Sequence, residues 1–129
     1  KMGIEELRVH QFDIRVTETM TTYYIKNWIA LNDRNHKAYT EGSPIEQLQI
    51  LEKSLSGHIV SFLKGINYKP ESRFEVKLDG FPETRPVRIK NMTTMGFNVA
   101  FKTNLFLPNF IGLGKGVSKG YGMVTKKRN

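Results

Sequence analysis

One long helix, marked at both ends by its own residues, sits between runs of strand-like sequence and limits what this chain can become. Ser43 suits an N-cap, Pro44 the first helical position, and Glu46 completes a Ser-x-x-Glu capping box. In such a box the hydroxyl and the carboxylate each satisfy a backbone N–H that the helix leaves open. Leu48, Leu51, Leu55, Ile59, Phe62, Leu63 and Ile66 follow at steps of three and four, and Gly65 is a stop. The result is an apolar stripe along one side of the helix, long enough to lie across a sheet.

The flanking sequence supplies that sheet. "VHQFDIRV" (9–16) sets Phe12, Ile14 and Val16 against Asp13 and Arg15, the alternation of a half-buried strand. "TTYYIKNWIAL" (21–31) is aromatic and β-rich, and "NDRNH" (32–36) reads as a turn after it. Beyond the helix come "RFEVKLD" (73–79), "RPVRIKN" (85–91), "GFNVAFKTN" (96–104) and a last strand in "YGMVTKK". Two strands, a long helix and three or four strands predict an α+β fold: one antiparallel sheet with the helix on one face. A ferredoxin-like arrangement fits best, with its second helix short, near 106–112, or absent. Residues 1–129 make one domain, with no internal repeat or linker.

Charge points to the kind of partner. The chain holds 20 Lys and Arg against 12 Asp and Glu, a net of +8, and Glu83 is the last acid. Nine bases follow it: Arg85, Arg88, Lys90, Lys102, Lys115, Lys119, Lys126, Lys127 and Arg128. That leaves 11 bases against 12 acids in the first 83 residues. Surfaces usually mix the signs. All the excess positive charge sits in the last third, which predicts a polyanion partner with Arg85, Arg88 and Lys90 among its contacts; the alternative is a basic protein with lysines for solubility. No apolar run approaches a membrane span, and the absence of cysteine suits a reducing, cytoplasmic setting. The opening Lys1-Met2-Gly3 is not a natural initiation site and fits either residues added for expression or a domain cut from a longer protein.

Within the acid-free third, "FIGLGKGVSKGYGMV" (110–124) places Gly112, Gly114, Gly116, Gly120 and Gly122 around Lys115, Ser118 and Lys119. It is not a Walker loop: residue 109 is no glycine, and position 116 holds neither Ser nor Thr. It is not a dinucleotide fingerprint, because the glycine spacing differs and no long helix can follow. General physics remains. Glycines turn backbone N–H groups outward as an anion nest, and the lysines and the serine add donors. The stretch suits a phosphate backbone; the alternative is a tight hairpin with flexible glycines.

Acid–base groups are sparse. His10, His36 and His58 are the histidines, and His36, near Lys37 and Tyr39, is the one catalytic candidate. Metal-free RNA cleavage needs a base, an acid and a cation, and that loop holds the right types. No spacing of His, Asp and Glu suggests a metal site, and no cofactor motif is present. Tyr23, Tyr24 and Trp28 could stack bases or fill a core.

"TNLFLPNFIGLGKGVSKGYGMV" (103–124) resembles the C-terminal glycine-rich signature of the CRISPR repeat-processing endoribonucleases of the RAMP superfamily: apolar-Gly-x-Gly, then Ser-x-Gly-aromatic-Gly before the last strand. "WIALNDRNHKAY" and "ILEKSLSGHIVSFLKGINY" resemble the strand, loop and long helix of the C-terminal domain in one branch. The resemblance covers roughly residues 12–125. It implies tandem ferredoxin-like domains, of which this chain is the second, and metal-independent cleavage of a CRISPR repeat transcript leaving a 2′,3′-cyclic phosphate. It implies RNA contacts from Gly112, Gly114, Lys115, Ser118, Lys119, Gly120 and Gly122. The general base of the family is usually a histidine of the first domain, so none of His10, His36 or His58 inherits that role. Three functions follow: an RNA-binding domain of such an endoribonuclease; a non-catalytic structural or protein-interaction subunit of a ribonucleoprotein complex, with other CRISPR-associated proteins as partners, for which "LFLPNF" is the candidate apolar patch; or a complete small nuclease using His36.

Overall fold

A computed structural model describes residues 14–127. The elements are β1 (Arg15–Trp28), α1 (Asp33–Glu41), α2 (Pro44–Gly65), β2 (Val76–Ile89), β3 (Met92–Phe106), β4 (Ile111–Gly112), a 3₁₀ turn (Val117–Lys119) and β5 (Met123–Lys126). The strands form one antiparallel sheet in the order β2-β3-β1-β5-β4. Both helices lie on one face, in the ferredoxin-like α+β arrangement that the alternation predicts.

The long helix forms where its caps place it. The Ser43 hydroxyl accepts from the Glu46 N–H at 3.3 Å, and the Glu46 carboxylate accepts from the Ser43 N–H at 2.8 Å. Leu51, Leu55, Ile59 and Leu63 turn inward. They meet Tyr23, Ile25, Phe97, Val99, Phe101 and Leu105 from the central strands β1 and β3. Each fully buried aliphatic side chain of this set contributes about 1.5–3 kcal/mol.

Three expectations are corrected. The segment 32–36 does not end in a turn: Asn32 caps α1, its side chain accepting from the N–H of Arg34 (2.9 Å) and Asn35 (3.0 Å). The fold therefore carries two helices where one was expected. The second lies before the long helix and not near 106–112, where β3 ends and a turn leads into β4. Finally, the separate strand segments join. From Arg15 onward the two N-terminal segments are one strand with a register break between Val16 and Thr21, and residues 9–13 lie outside the described region. The segments at 73–79 and 85–91 are one strand, broken in register between Asp79 and Glu83.

Candidate nucleic-acid interface

The glycine stretch crosses the end of the sheet where β1 finishes. It runs from β4 to β5 and is tied to that strand end: the Gly122 N–H donates to the carbonyls of Lys26 (2.8 Å) and Asn27 (3.1 Å). Across the loop, the Leu113 N–H donates to the Gly122 carbonyl at 3.0 Å. This crossing requires glycine. Gly122 has φ +72°, and a Cβ there would collide with the Leu113 carbonyl oxygen. Between these ties a 3₁₀ turn closes on itself, the N–H groups of Lys119 and Tyr121 both donating to the Gly116 carbonyl (2.9 and 3.1 Å).

The N–H groups left over are consecutive. From Gly114 to Ser118, no backbone N–H donates to another described residue. Lys115, Ser118 and Lys119 are exposed beside them. Strongly polar donors with no internal partner, flanked by ammonium groups and by no acid later than Glu83, make a surface suited to an anion.

The tip of the β2–β3 hairpin adjoins this loop. Lys90 and Asn91 form its turn with φ of 48° and 66°, a two-residue connection matching the twist of the strands. The Tyr121 hydroxyl donates to the Arg88 carbonyl at 3.0 Å. Ile89 packs near Gly116, its Cδ1 3.1 Å from where a Cβ on that glycine would stand. Arg88 and Lys90 thus stand at the same end of the molecule as Lys115 and Lys119. Arg85 faces elsewhere, sharing a groove with His36, Thr84, Pro86 and Thr93–Met95. Glu83 is engaged with Asn98: its carboxylate accepts from the Asn98 amide at 3.0 Å, and the Asn98 amide oxygen accepts from the Asn27 N–H at 2.7 Å.

Under the loop lies a cleft lined by His58, Ser61 and Phe62 of α2 and by Gly112–Lys115. The buried Trp28 indole N–H donates to His58 Nδ1 at 3.0 Å, the two rings edge to face at 5.9 Å. Burial holds the His58 imidazole below its ordinary pKa, favouring the neutral ring. In the sequence His58 is one of three histidines, and no local motif assigns it a role. A buried Trp needs an acceptor for its N–H, and that need was the available signal.

The remaining candidates do not converge. His36 is exposed on α1, but Tyr39 is turned into the core, 7% exposed and edge to face with Phe97 at 5.4 Å. Burial raises the Tyr39 pKa, so its hydroxyl is poorly placed to serve as a surface acid beside His36. His10 lies outside the described residues. Tyr23 and Trp28 are core residues, both fully buried, and Tyr24 is half-buried. Of "LFLPNF", Leu105 and Leu107 are buried, Phe106 is covered by Arg15 and Lys126 (4.5 and 3.9 Å from the ring centre), and Phe110 is 70% exposed. Among the described residues no helix is long and apolar enough to cross a membrane.

Residues 15–127 match the family model of the Cas6b C-terminal domain. An uncharacterized protein of Methanocaldococcus jannaschii, MJ0978, is 34% identical over 125 residues, which are 96% of this chain and 83% of that protein. A crystal structure of Cas6b superimposes with a TM-score of 0.80 at 32% identity, over 87% of this chain and 65% of the other. A crystal structure of a CRISPR RNA processing endoribonuclease Cas6b also gives 0.80 and 32%, over 88% of this chain and 58% of the other. The chain thus spans about three fifths of the solved Cas6b chains it matches.

Proposed function

The chain belongs to the Cas6b C-terminal domain family, and from that premise we propose that it is the RNA-holding domain of a CRISPR-RNA-processing endoribonuclease. It grips the repeat transcript through the glycine loop and the adjoining hairpin tip. The observation that carries this reading is the run of unpartnered N–H groups from Gly114 to Ser118, set among Lys115, Lys119, Arg88 and Lys90. Backbone N–H groups and ammonium groups at one place suit phosphate oxygens, so the contact positions RNA and does not read bases. Gly112, Gly114, Gly120 and Gly122 shape the loop, and Ser118 adds a hydroxyl. Cleavage needs a base and an acid on either side of the scissile phosphate. The pair His36 and buried Tyr39 is not arranged for this, and the family's general base is usually a histidine of the first domain; on this reading the domain binds and orients the transcript for a metal-independent cut made elsewhere in the enzyme.

Anisotropy of a labelled CRISPR repeat hairpin over a salt series tests this. Each neutralised phosphate releases about one counterion. Lys115→Ala/Lys119→Ala should lower the magnitude of the log–log salt slope by about two and weaken binding of unrelated hairpins equally. Absence of RNA binding at low salt would refute the proposal and favour a protein-contact module, with Phe110 as the place to look.

A further inference from the structure

We propose that Trp28 and His58 together present a fixed, uncharged donor to a non-bridging phosphate oxygen of bound RNA, in the cleft between α2 and the glycine loop. The inference rests on the RNA-holding reading above and names a subsite within it. Its starting point is an indole. Trp donates and cannot accept. The 3.0 Å contact from Trp28 Nε1 to His58 Nδ1 therefore requires a lone pair on Nδ1. In a neutral imidazole the proton must then sit on Nε2.

That Nε2–H has no partner among the described residues. Nor is it sealed away, because no buried side-chain nitrogen or oxygen of the described residues lacks a hydrogen bond. The donor reaches solvent, and the ring lines the cleft with Ser61 and Lys115. Its Cε1 edge lies 3.3 Å from where a Cβ on Gly114 would stand, so Gly114 keeps the loop close to the ring. Four kinds of donor belong to the residues that line one space: the imidazole N–H, the Ser61 hydroxyl, the Lys115 ammonium and the backbone N–H groups of Gly114 and Lys115. Among the groups lining this space only Lys115 carries a full charge, and there is no carboxylate. A phosphodiester oxygen fits that set; a cation does not.

A neutral donor differs from a lysine in one measurable way: it releases no counterion when it binds. His58→Phe keeps a ring in the helix and removes the donor. The expected result is affinity for the repeat hairpin about tenfold weaker, as for a lost hydrogen bond to a charged group, with the salt slope unchanged. His58→Gln, which restores an amide N–H, should recover most of it. Should His58→Phe bind as tightly as wild type while Lys115→Ala/Lys119→Ala still weakens binding, the subsite is refuted and the RNA-holding reading stands. A slope lowered by about one in His58→Phe would mean that the ring binds as a cation, which also refutes it. No RNA binding by wild type would overturn both. A second measurement needs no variant: ¹⁵N NMR of the wild-type imidazole should show Nε2 protonated and Nδ1 bare, with the Nε2–H resonance moving as RNA is added. A proton on Nδ1, or an unmoved resonance, overturns the assignment.

Discussion

At the residue scale the glycines divide by what surrounds them. Gly122 and Gly120 both have positive φ, +72° and +86°. At Gly122 a Cβ would meet the Leu113 carbonyl oxygen, while at Gly120 nothing lies within 4 Å. The left-handed conformation alone costs an L residue about 1–2 kcal/mol. Gly120→Ala should therefore lose about 1 kcal/mol in urea unfolding. Gly122→Ala adds a backbone collision that only a shift of the loop can relieve, and should lose about 3 kcal/mol. Equal losses would show that the loop yields freely and that the close crossing is not what fixes it. The glycine run was visible in the sequence, but its division of labour was not: spacing shows that a backbone is permissive, and only the fold shows which carbonyl comes near. His58 was obscured for a related reason. Its acceptor role depends on an indole 30 residues away, a pairing no local pattern contains.

At the element scale, legibility followed the strength of local signals. Helix α2 was legible because Ser43, Pro44 and Glu46 define its start and four inward-facing aliphatics define its face. Helix α1 was not, because it buries only Tyr39 and begins with Asn32, Asp33 and Asn35. Such residues favour turns and N-caps for one reason, that their short side chains accept backbone N–H bonds. The strand breaks misled in the same way. Gly80 and Pro82 interrupt the alternation of β2, and there the register slips between Asp79 and Glu83 without ending the strand, as at a bulge. One position in α2 keeps a glycine with no packing reason: Gly57 is exposed, and a Cβ would meet nothing within 4 Å. Gly57→Ala should raise stability by about 0.5–1 kcal/mol, through helix propensity and a less disordered unfolded chain. RNA affinity should not change. A loss of affinity with gained stability would mean that RNA passes over that face of the helix.

At the scale of the whole molecule, separated charge becomes a binding surface only if the fold gathers it. The chain carries all its excess of positive charge after Glu83, yet the structure brings only some of those bases together. Arg88 and Lys90 come to the glycine loop through the Tyr121–Arg88 contact, while Arg85 turns toward His36. The two pairs sit on separate segments that approach only in the folded state. A phosphate backbone running along this end would meet both in succession. Arg88→Ala/Lys90→Ala should therefore lower the magnitude of the salt slope by about two, additively with the Lys115/Lys119 pair. Lys69 and Arg73 provide the control. They flank Glu71, whose carboxylate accepts from the Val16 N–H at 3.2 Å, at the opposite end of β1 from Trp28. Counted along β3, from Leu105 opposite Val16 to Phe97 opposite Trp28, that is roughly 26 Å, beyond the Debye length of about 8–10 Å. Lys69→Ala/Arg73→Ala removes the same charge and should leave the slope unchanged. If both pairs lower it equally, net charge alone attracts the RNA, and the gathering of bases at the glycine loop plays no part in holding it.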